Sequence, residues 1–294
     1  MAWLSARAAG GRFVLRVEDI DRPRVVRGAE ARQLDDLRWL GLDWDDGPDV
    51  GGPAAPYRQS ERGERYEAAL ETLDRRGLLY RCDCSRAEIA RVASAPHPGE
   101  EGPRYPGTCR DLGMAERAWK RPPALRLRVP AGEVVVQDRW QGIVRQDVAA
   151  AVGDFVLRRG DGVFAYQLAV VVDDLAMGIT EVVRGADLLS STPRQVLLAE
   201  LLGGTPPRYA HIPLVLDAHG ERLAKRGGGI TLREQRAAGA APGRLVDALA
   251  RLLGLRPAGS ASAMVPHVDP GVLARALAGR ATVRLPAASA LASR

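Results

Sequence analysis

Lysine is almost missing from this 294-residue chain: of 42 basic residues only Lys120 and Lys225 are lysines, and the rest are arginines. Long apolar runs are missing as well. The longest, around Leu168 to Val172, stops at Asp173 and Asp174, well short of the roughly 20 residues that a membrane-crossing helix needs. The opening Met1-Ala2-Trp3-Leu4-Ser5-Ala6-Arg7 does not read as a signal peptide. Cysteine is scarce, and three is an odd number that closes no disulfide set, so a reduced, cytoplasmic protein is expected. No internal repeat is visible.

What is present is the composition of a globular chain, 46% hydrophobic and 27% charged, long enough to bury a core and to form two domains. A net charge of +6 suits a polyanionic partner, although general Ala, Arg and Gly richness gives the same sign.

The pattern predicts a helix over Trp3–Ala9 stopped by Gly10 and Gly11, then a buried strand over Arg12–Val17 that runs into Glu18-Asp19-Ile20-Asp21-Arg22. Helices are expected at Gly28–Leu40 and Glu61–Arg75, where apolar residues recur at helical spacing. Leu78–Arg81 leads to the cysteines, Pro96–Gly107 is aperiodic, and short alternating runs between Ala124 and Phe164 predict a small antiparallel region. Thr192 reads as the N-cap of a further helix with Pro193 in its first turn, and the tail holds a helix at Gly271–Leu277. Helix, β-rich insertion, then helix and strand again is the order of an α/β domain split by a second domain.

Four groups carry chemistry. Lys225 stands in Glu221-Arg222-Leu223-Ala224-Lys225-Arg226-Gly227-Gly228-Gly229, where a compact ammonium and three glycines suit a phosphoryl group; an arginine-rich chain also keeps stray lysines in solvated loops. Cys82, Cys84 and Cys109 offer three soft ligands across one loop, to which zinc adds a fourth in a tetrahedron. His97 is the obvious fourth ligand by chemistry and Tyr105 the less common one; alternatively the cysteines are small buried hydrophobes. Glu18, at a strand end, could hold a substrate ammonium or belong to a charged turn. Tyr166, Asp173, Asp174 and Arg184 form the last group, arginine being suited to bidentate carboxylate recognition.

Arg16-Val17-Glu18-Asp19-Ile20-Asp21-Arg22, Phe164 to Asp174, Val183-Arg184-Gly185-Ala186-Asp187 through Pro193, and Arg222-Leu223-Ala224-Lys225-Arg226 occur in one order that closely resembles the glutamyl branch of the class I aminoacyl-tRNA synthetases. Because the chain stops soon after Lys225, it looks like the members without an anticodon-binding domain. The resemblance implies an α/β fold: a class I synthetase-like Rossmann nucleotide-binding domain in two halves, 1–78 and 165–256, with a zinc-containing, tRNA-facing insertion at 79–164 and a tail at 257–294. It implies ATP-dependent activation of L-glutamate without tRNA, ATP being accompanied by Mg2+, and transfer of glutamate to the cyclopentenediol of queuosine in tRNA(Asp), by a cytoplasmic monomer. Glu18 would contact the substrate ammonium, Tyr166 and Arg184 would hold the amino-acid moiety, and Lys225, matched to the second lysine of the signature loop, would be the catalytic, ATP-binding residue. The zinc ligands implied are Cys82, Cys84, Tyr105 and Cys109, which replaces His97 with Tyr105.

Two departures stand out. Ala224 occupies a position where the signature usually has serine. No His-x-Gly-His or His-x-Gly-Asn signature exists, since His97, His211, His219 and His267 all have other contexts. The expectation is therefore that an N-terminal strand and its histidine signature precede Met1 or have been lost. The rivals implied are a shortened glutamyl-tRNA synthetase and a non-catalytic remnant that binds tRNA or zinc.

Overall fold

The computed structural model describes residues 1–92, 104–114, 117–217, 219–221 and 231–285. Lys225 with its glycine loop, His97 and most of the Pro96–Gly107 stretch lie outside the described residues. No described helix is long and apolar enough to cross a membrane.

Helix α1 (Ala2–Ala8) buries Trp3 and Leu4 and ends where Gly10 takes φ +64 and the Gly11 amide donates to the Ala6 carbonyl. A chain reversal of this kind favours glycine, which has no Cβ to clash. The expected strand over Arg12–Val17 is extended but is not a continuous strand. It meets its neighbour only at two isolated parallel bridges, Val14 with Asp46 and Val17 with Arg58. The cause lies in the partner, which folds back on itself between them through reciprocal Gly47–Gly51 hydrogen bonds and so breaks the ladder.

Helices α2 (Ala29–Trp39) and α3 (Gly63–Arg75) follow; α3 buries Tyr66, Leu70 and Leu73, one face of a 3.6-residue repeat. Next come β1 (Leu79–Cys82), α4 (Arg86–Val92), β2 (Ala124–Leu127), β3 (Glu133–Asp138), β4 (Gly142–Asp147), the single turn α5 (Val148–Ala151) and β5 (Val156–Arg158). Strands β1, β2 and β5 form an antiparallel sheet and β3–β4 an antiparallel hairpin, as the alternation predicts. This region shares its core with its surroundings. Leu79, Leu125, Leu127 and Leu157 pack in one cluster with Tyr66 and Leu73 of α3.

Helix α6 (Tyr166–Ala176) contributes Leu168 and Val171 to that cluster, so it is apolar on nearly all sides. Beyond it, β6 (Glu181–Gly185) and β7 (Arg208–Ile212) run parallel, joined through α7 (Thr192–Leu201), with Arg184 level with His211. Thr192 is not the N-cap. A 3-10 turn over Ala186–Ser191 runs straight into α7, so Ser191 precedes the helix and the Thr192 hydroxyl is free to bond elsewhere. Val136 of the hairpin packs against Val196 of α7 and Tyr209 of β7.

The remaining elements are β8 (Leu214–Leu216), α8 (Leu232–Ala237), α9 (Pro242–Leu252), α10 (Ala261–Met264), α11 (Pro270–Leu277) and β9 (Thr282–Arg284), which pairs in parallel with β8. Helix α11 matches the helix expected in the tail, and its Leu273 and Leu277 pack with Trp3, Leu4 and Trp140.

Candidate active site

A cavity of about 1070 Å³ opens where the extended 12–18 segment, α6 and the C-terminal end of β6 converge. Strand ends of α/β sheets are where such folds bind ligands. Glu18, Tyr166 and Arg184 all line it, together with Arg16 and Asp174. Residues more than a hundred positions apart in sequence are thereby brought to one wall.

The charges are ordered by burial and pairing. Arg16 donates to Asp174 Oδ1 at 2.7 Å and to Glu18 Oε1 at 3.0 Å, which turns the Glu18 carboxylate toward the chain's own cation while leaving it partly exposed. The Asp174 carboxyl is nevertheless held above its usual range, because burial outweighs the attraction of Arg16. Burial likewise pushes the Tyr166 hydroxyl up, against the pull of the Arg184 charge.

Behind the wall Asp173 forms a buried hub. Arg62 Nε donates to it at 2.5 Å, and Gln59 Nε2 and the Tyr66 hydroxyl each donate at 2.9 Å. Arg62 Nη1 donates to the Ala54 and Pro56 carbonyls, while its Nη2 is buried without a hydrogen-bond partner. The Arg62 and Asp173 side chains are both 0% exposed, and with Tyr66 of α3 they tie α6 to the start of α3 beneath the cavity.

Arg184 is held on two sides. Its Nε donates to His211 Nε2 at 3.0 Å, and its Nη2 donates to Thr192 Oγ1 at 2.8 Å and to the Leu188 carbonyl at 3.3 Å. Nη1 is the nitrogen that these contacts leave unengaged. The imidazole of His211 in turn meets Asp138 Oδ2 at 2.6 Å through Nδ1. The sequence reading includes Arg16 in a motif without giving it a role, and it gives none to His211 or Asp138, since His211 sits in an unremarkable strand and Asp138 lies 73 positions away.

The cysteines make a second constellation. The Sγ atoms of Cys82, Cys84 and Cys109 lie within 4.8 Å of one another and can hold a metal ion. Cys84 and Cys109 are 3.6 Å apart, and the Tyr105 hydroxyl lies 3.3 Å from Cys82 and 3.9 Å from Cys84. A tetrahedral zinc with ordinary bond lengths needs S···S edges of roughly 3.8 Å and S···O edges of roughly 3.5 Å, so the donors fit. Burial and the neighbouring Cys82 push the Cys84 thiol up to about 12. Without a cation this set therefore resists full ionisation, and a dication supplies the missing charge. Arg126 stacks 3.8 Å over the Tyr105 ring and Arg117 reaches Cys109 Sγ at 3.4 Å, both placed to offset surplus thiolate charge. Among the described residues no histidine joins the cluster.

Comparison with known proteins agrees with this architecture. A family model described as "tRNA synthetases class I (E and Q), catalytic domain" matches residues 1–266. A glutamyl-Q tRNA(Asp) synthetase of Nitratidesulfovibrio vulgaris is 53% identical over 265 residues, 87% of this chain and 81% of that protein. The protein of the same description from Symbiobacterium thermophilum is 54% identical over 260 residues, 87% of this chain and 80% of its own length. Among solved structures, glutamate-tRNA synthetase from Elizabethkingia anophelis superposes with a TM-score of 0.80 at 26% identity; the match covers 97% of this chain and 63% of that one. The extent of the family match and the identity of these relatives lead to one conclusion: the chain belongs to the class I tRNA synthetases of the E and Q family.

Proposed function

We propose that this protein activates L-glutamate with ATP in the absence of tRNA and transfers the glutamyl group to the cyclopentenediol of queuosine in tRNA(Asp). The observation that carries the reading is the convergence of Glu18, Tyr166 and Arg184 on one cavity in a chain whose relatives at 53% and 54% identity are named glutamyl-Q tRNA(Asp) synthetases.

In this reading Glu18 receives the substrate ammonium, and Arg184 Nη1 with the Tyr166 hydroxyl holds the rest of the amino acid. The reacting carboxylate oxygen then attacks the α-phosphorus of ATP, whose bond to pyrophosphate breaks; Mg2+ arrives with the nucleotide. Lys225 stabilises charge on the departing phosphates, a role taken from its place in the signature loop, which lies outside the described residues. The product glutamyl-adenylate is attacked by a queuosine hydroxyl, forming an ester and releasing AMP. A net charge of +6 suits the phosphate backbone of the tRNA.

Pyrophosphate exchange into ATP is expected with glutamate and no tRNA, and labelled glutamate is expected to pass to queuosine-containing tRNA(Asp). Lys225→Ala is expected to lower exchange by about 10²-fold, the scale of losing one transition-state charge partner. Exchange that appears only on adding tRNA, or aminoacylation of tRNA(Glu), assigns the chain to glutamyl-tRNA synthesis instead. Absence of ATP binding together with retained tRNA binding identifies a non-catalytic protein.

Zinc held by Cys82, Cys84, Tyr105 and Cys109 would brace the end of β1 and the loop that carries Cys109. Elemental analysis is expected to give about one zinc per chain, and Cys109→Ser is expected to lose most of it and to lower the thermal midpoint. Equal zinc content in the two proteins would overturn this assignment.

A further inference from the structure

We infer that His211 and Asp138 form a positioning dyad that fixes the tautomer of one imidazole so that it accepts, rather than repels, the Nε–H of Arg184. The inference rests on the proposal that Arg184 holds the amino-acid substrate, and it adds two residues for which that proposal has no role.

Arginine has no acceptor and stays protonated, so the 3.0 Å contact between Arg184 Nε and His211 Nε2 requires a bare Nε2 lone pair. The imidazole proton must then sit on Nδ1, where Asp138 Oδ2 accepts it at 2.6 Å. Both side chains are fully buried, and no bulk water competes for either position. The other carboxylate oxygen is pinned in turn. Asp138 Oδ1 accepts from the amides of Trp140 at 3.0 Å, Gln141 at 2.9 Å and His211 at 3.2 Å. Although burial opposes it, these bonds with the His211 contact keep the Asp138 carboxyl below its ordinary range.

The same geometry dictates what Asp138→Asn does. Three backbone donors keep the amide oxygen at the Oδ1 position, so the amide nitrogen takes the place of Oδ2 and presents a hydrogen to His211 Nδ1. Nδ1 becomes an acceptor, the proton moves to Nε2, and two N–H groups face each other at the Arg184 contact. The oxygen near Nε2, the Thr192 hydroxyl at 3.3 Å, already accepts from Arg184 Nη2, so the new N–H competes with Arg184 there as well. The arginine is pushed out of place although every residue that lines the cavity is unchanged. The logic is that of a serine-protease aspartate, which sets a histidine tautomer without itself exchanging a proton.

The test combines a spectroscopic and a kinetic arm on the full chain. Histidine 15N shifts of the wild type are expected to show His211 protonated at Nδ1 and bare at Nε2, and Asp138→Asn is expected to exchange the two. Exchange kinetics are expected to show a glutamate KM raised at least about 10-fold with kcat within about 3-fold, and no further rise when Asp138→Asn is added to Arg184→Leu. His211→Gln, which retains an acceptor toward Arg184, is expected to keep KM within about 3-fold, whereas His211→Leu is expected to match Asp138→Asn. An unchanged KM in Asp138→Asn with the tautomer exchanged, or full additivity with Arg184→Leu, would overturn the dyad. The failures are separable. A wild type that does not activate glutamate defeats the proposed reaction, while a His211 ring already protonated at Nε2 defeats the dyad with no substrate present.

Discussion

Arg184→Leu is expected to reduce kcat/KM for glutamate by about 10³-fold, some 4 kcal/mol, which lies within the range for truncating one partner of a buried, hydrogen-bonded charge pair. The size follows from what surrounds the guanidinium. Its Nε and Nη2 are occupied by His211, Thr192 and Leu188, so Nη1 meets the ligand from a rigid frame with little ordering left to do on binding. Leucine removes the charge and fills most of the space, so the fold is expected to persist, with a thermal midpoint within a few degrees of the wild type. Arg184→Lys is expected to recover little, because a lysine ammonium cannot bond His211, Thr192 and a ligand from three rigidly spaced nitrogens. Exchange assays over a glutamate series measure the effect, and a loss under 10-fold would show that Arg184 does not bear the substrate.

Asp173→Ala is expected to destabilise the protein by about 3–5 kcal/mol, because removing one member of a buried pair leaves the other charge uncompensated. Here the orphan is Arg62, fully buried in the side chain, and Gln59 and Tyr66 lose their acceptor at the same time. The midpoint of thermal unfolding is expected to fall by about 10 °C or more. Asp173→Asn is the informative companion, since it keeps an oxygen for one donor but faces at least one N–H with another. A urea titration separates this from a catalytic effect, and a change below 1 kcal/mol would show that the hub is dispensable. Asp174→Asn, one residue further along, is expected to cost much less. Its oxygen still accepts from Arg16, and burial already raises the carboxyl above its ordinary range.

Comparing these two aspartates shows where sequence reading succeeds and where it stops. Both appear as the charged end of an apolar run, and the run is a real helix, but it does not end there: α6 continues to Ala176 and carries both carboxylates inward. Nothing local announces this, because the cation that balances Asp173 is Arg62, 111 positions earlier. Helical stripes such as Tyr66, Leu70 and Leu73 were legible because their cause is local periodicity. The alternation over β3 and β4 was legible for the same reason. Val14 and Val17 have strand chemistry, yet the strand reduces to two bridges because the neighbouring segment folds at Gly47–Gly51. Thr192 has N-cap chemistry, and the competing claim on its hydroxyl by Arg184 is again tertiary. Glu18, Tyr166 and Arg184 could be proposed from ordered motifs, and they line one cavity, whereas His211 and Asp138, which share no motif, came into view only with the folded chain.

The pairing of Asp138 with His211 also has a consequence in time. At ordinary synthesis rates of 5–20 residues per second, the 73 positions between them separate their emergence from the ribosome by roughly 4–15 s. During that interval Asp138 can already bind the amides of Trp140 and Gln141, so the β3–β4 turn closes on itself and the carboxylate waits in place. The strand that carries His211 arrives later and docks on a finished acceptor. The arginine that we assign to substrate recognition is thus set only after β7 joins β6, so the amino-acid pocket cannot take its working form before residue 212 has emerged.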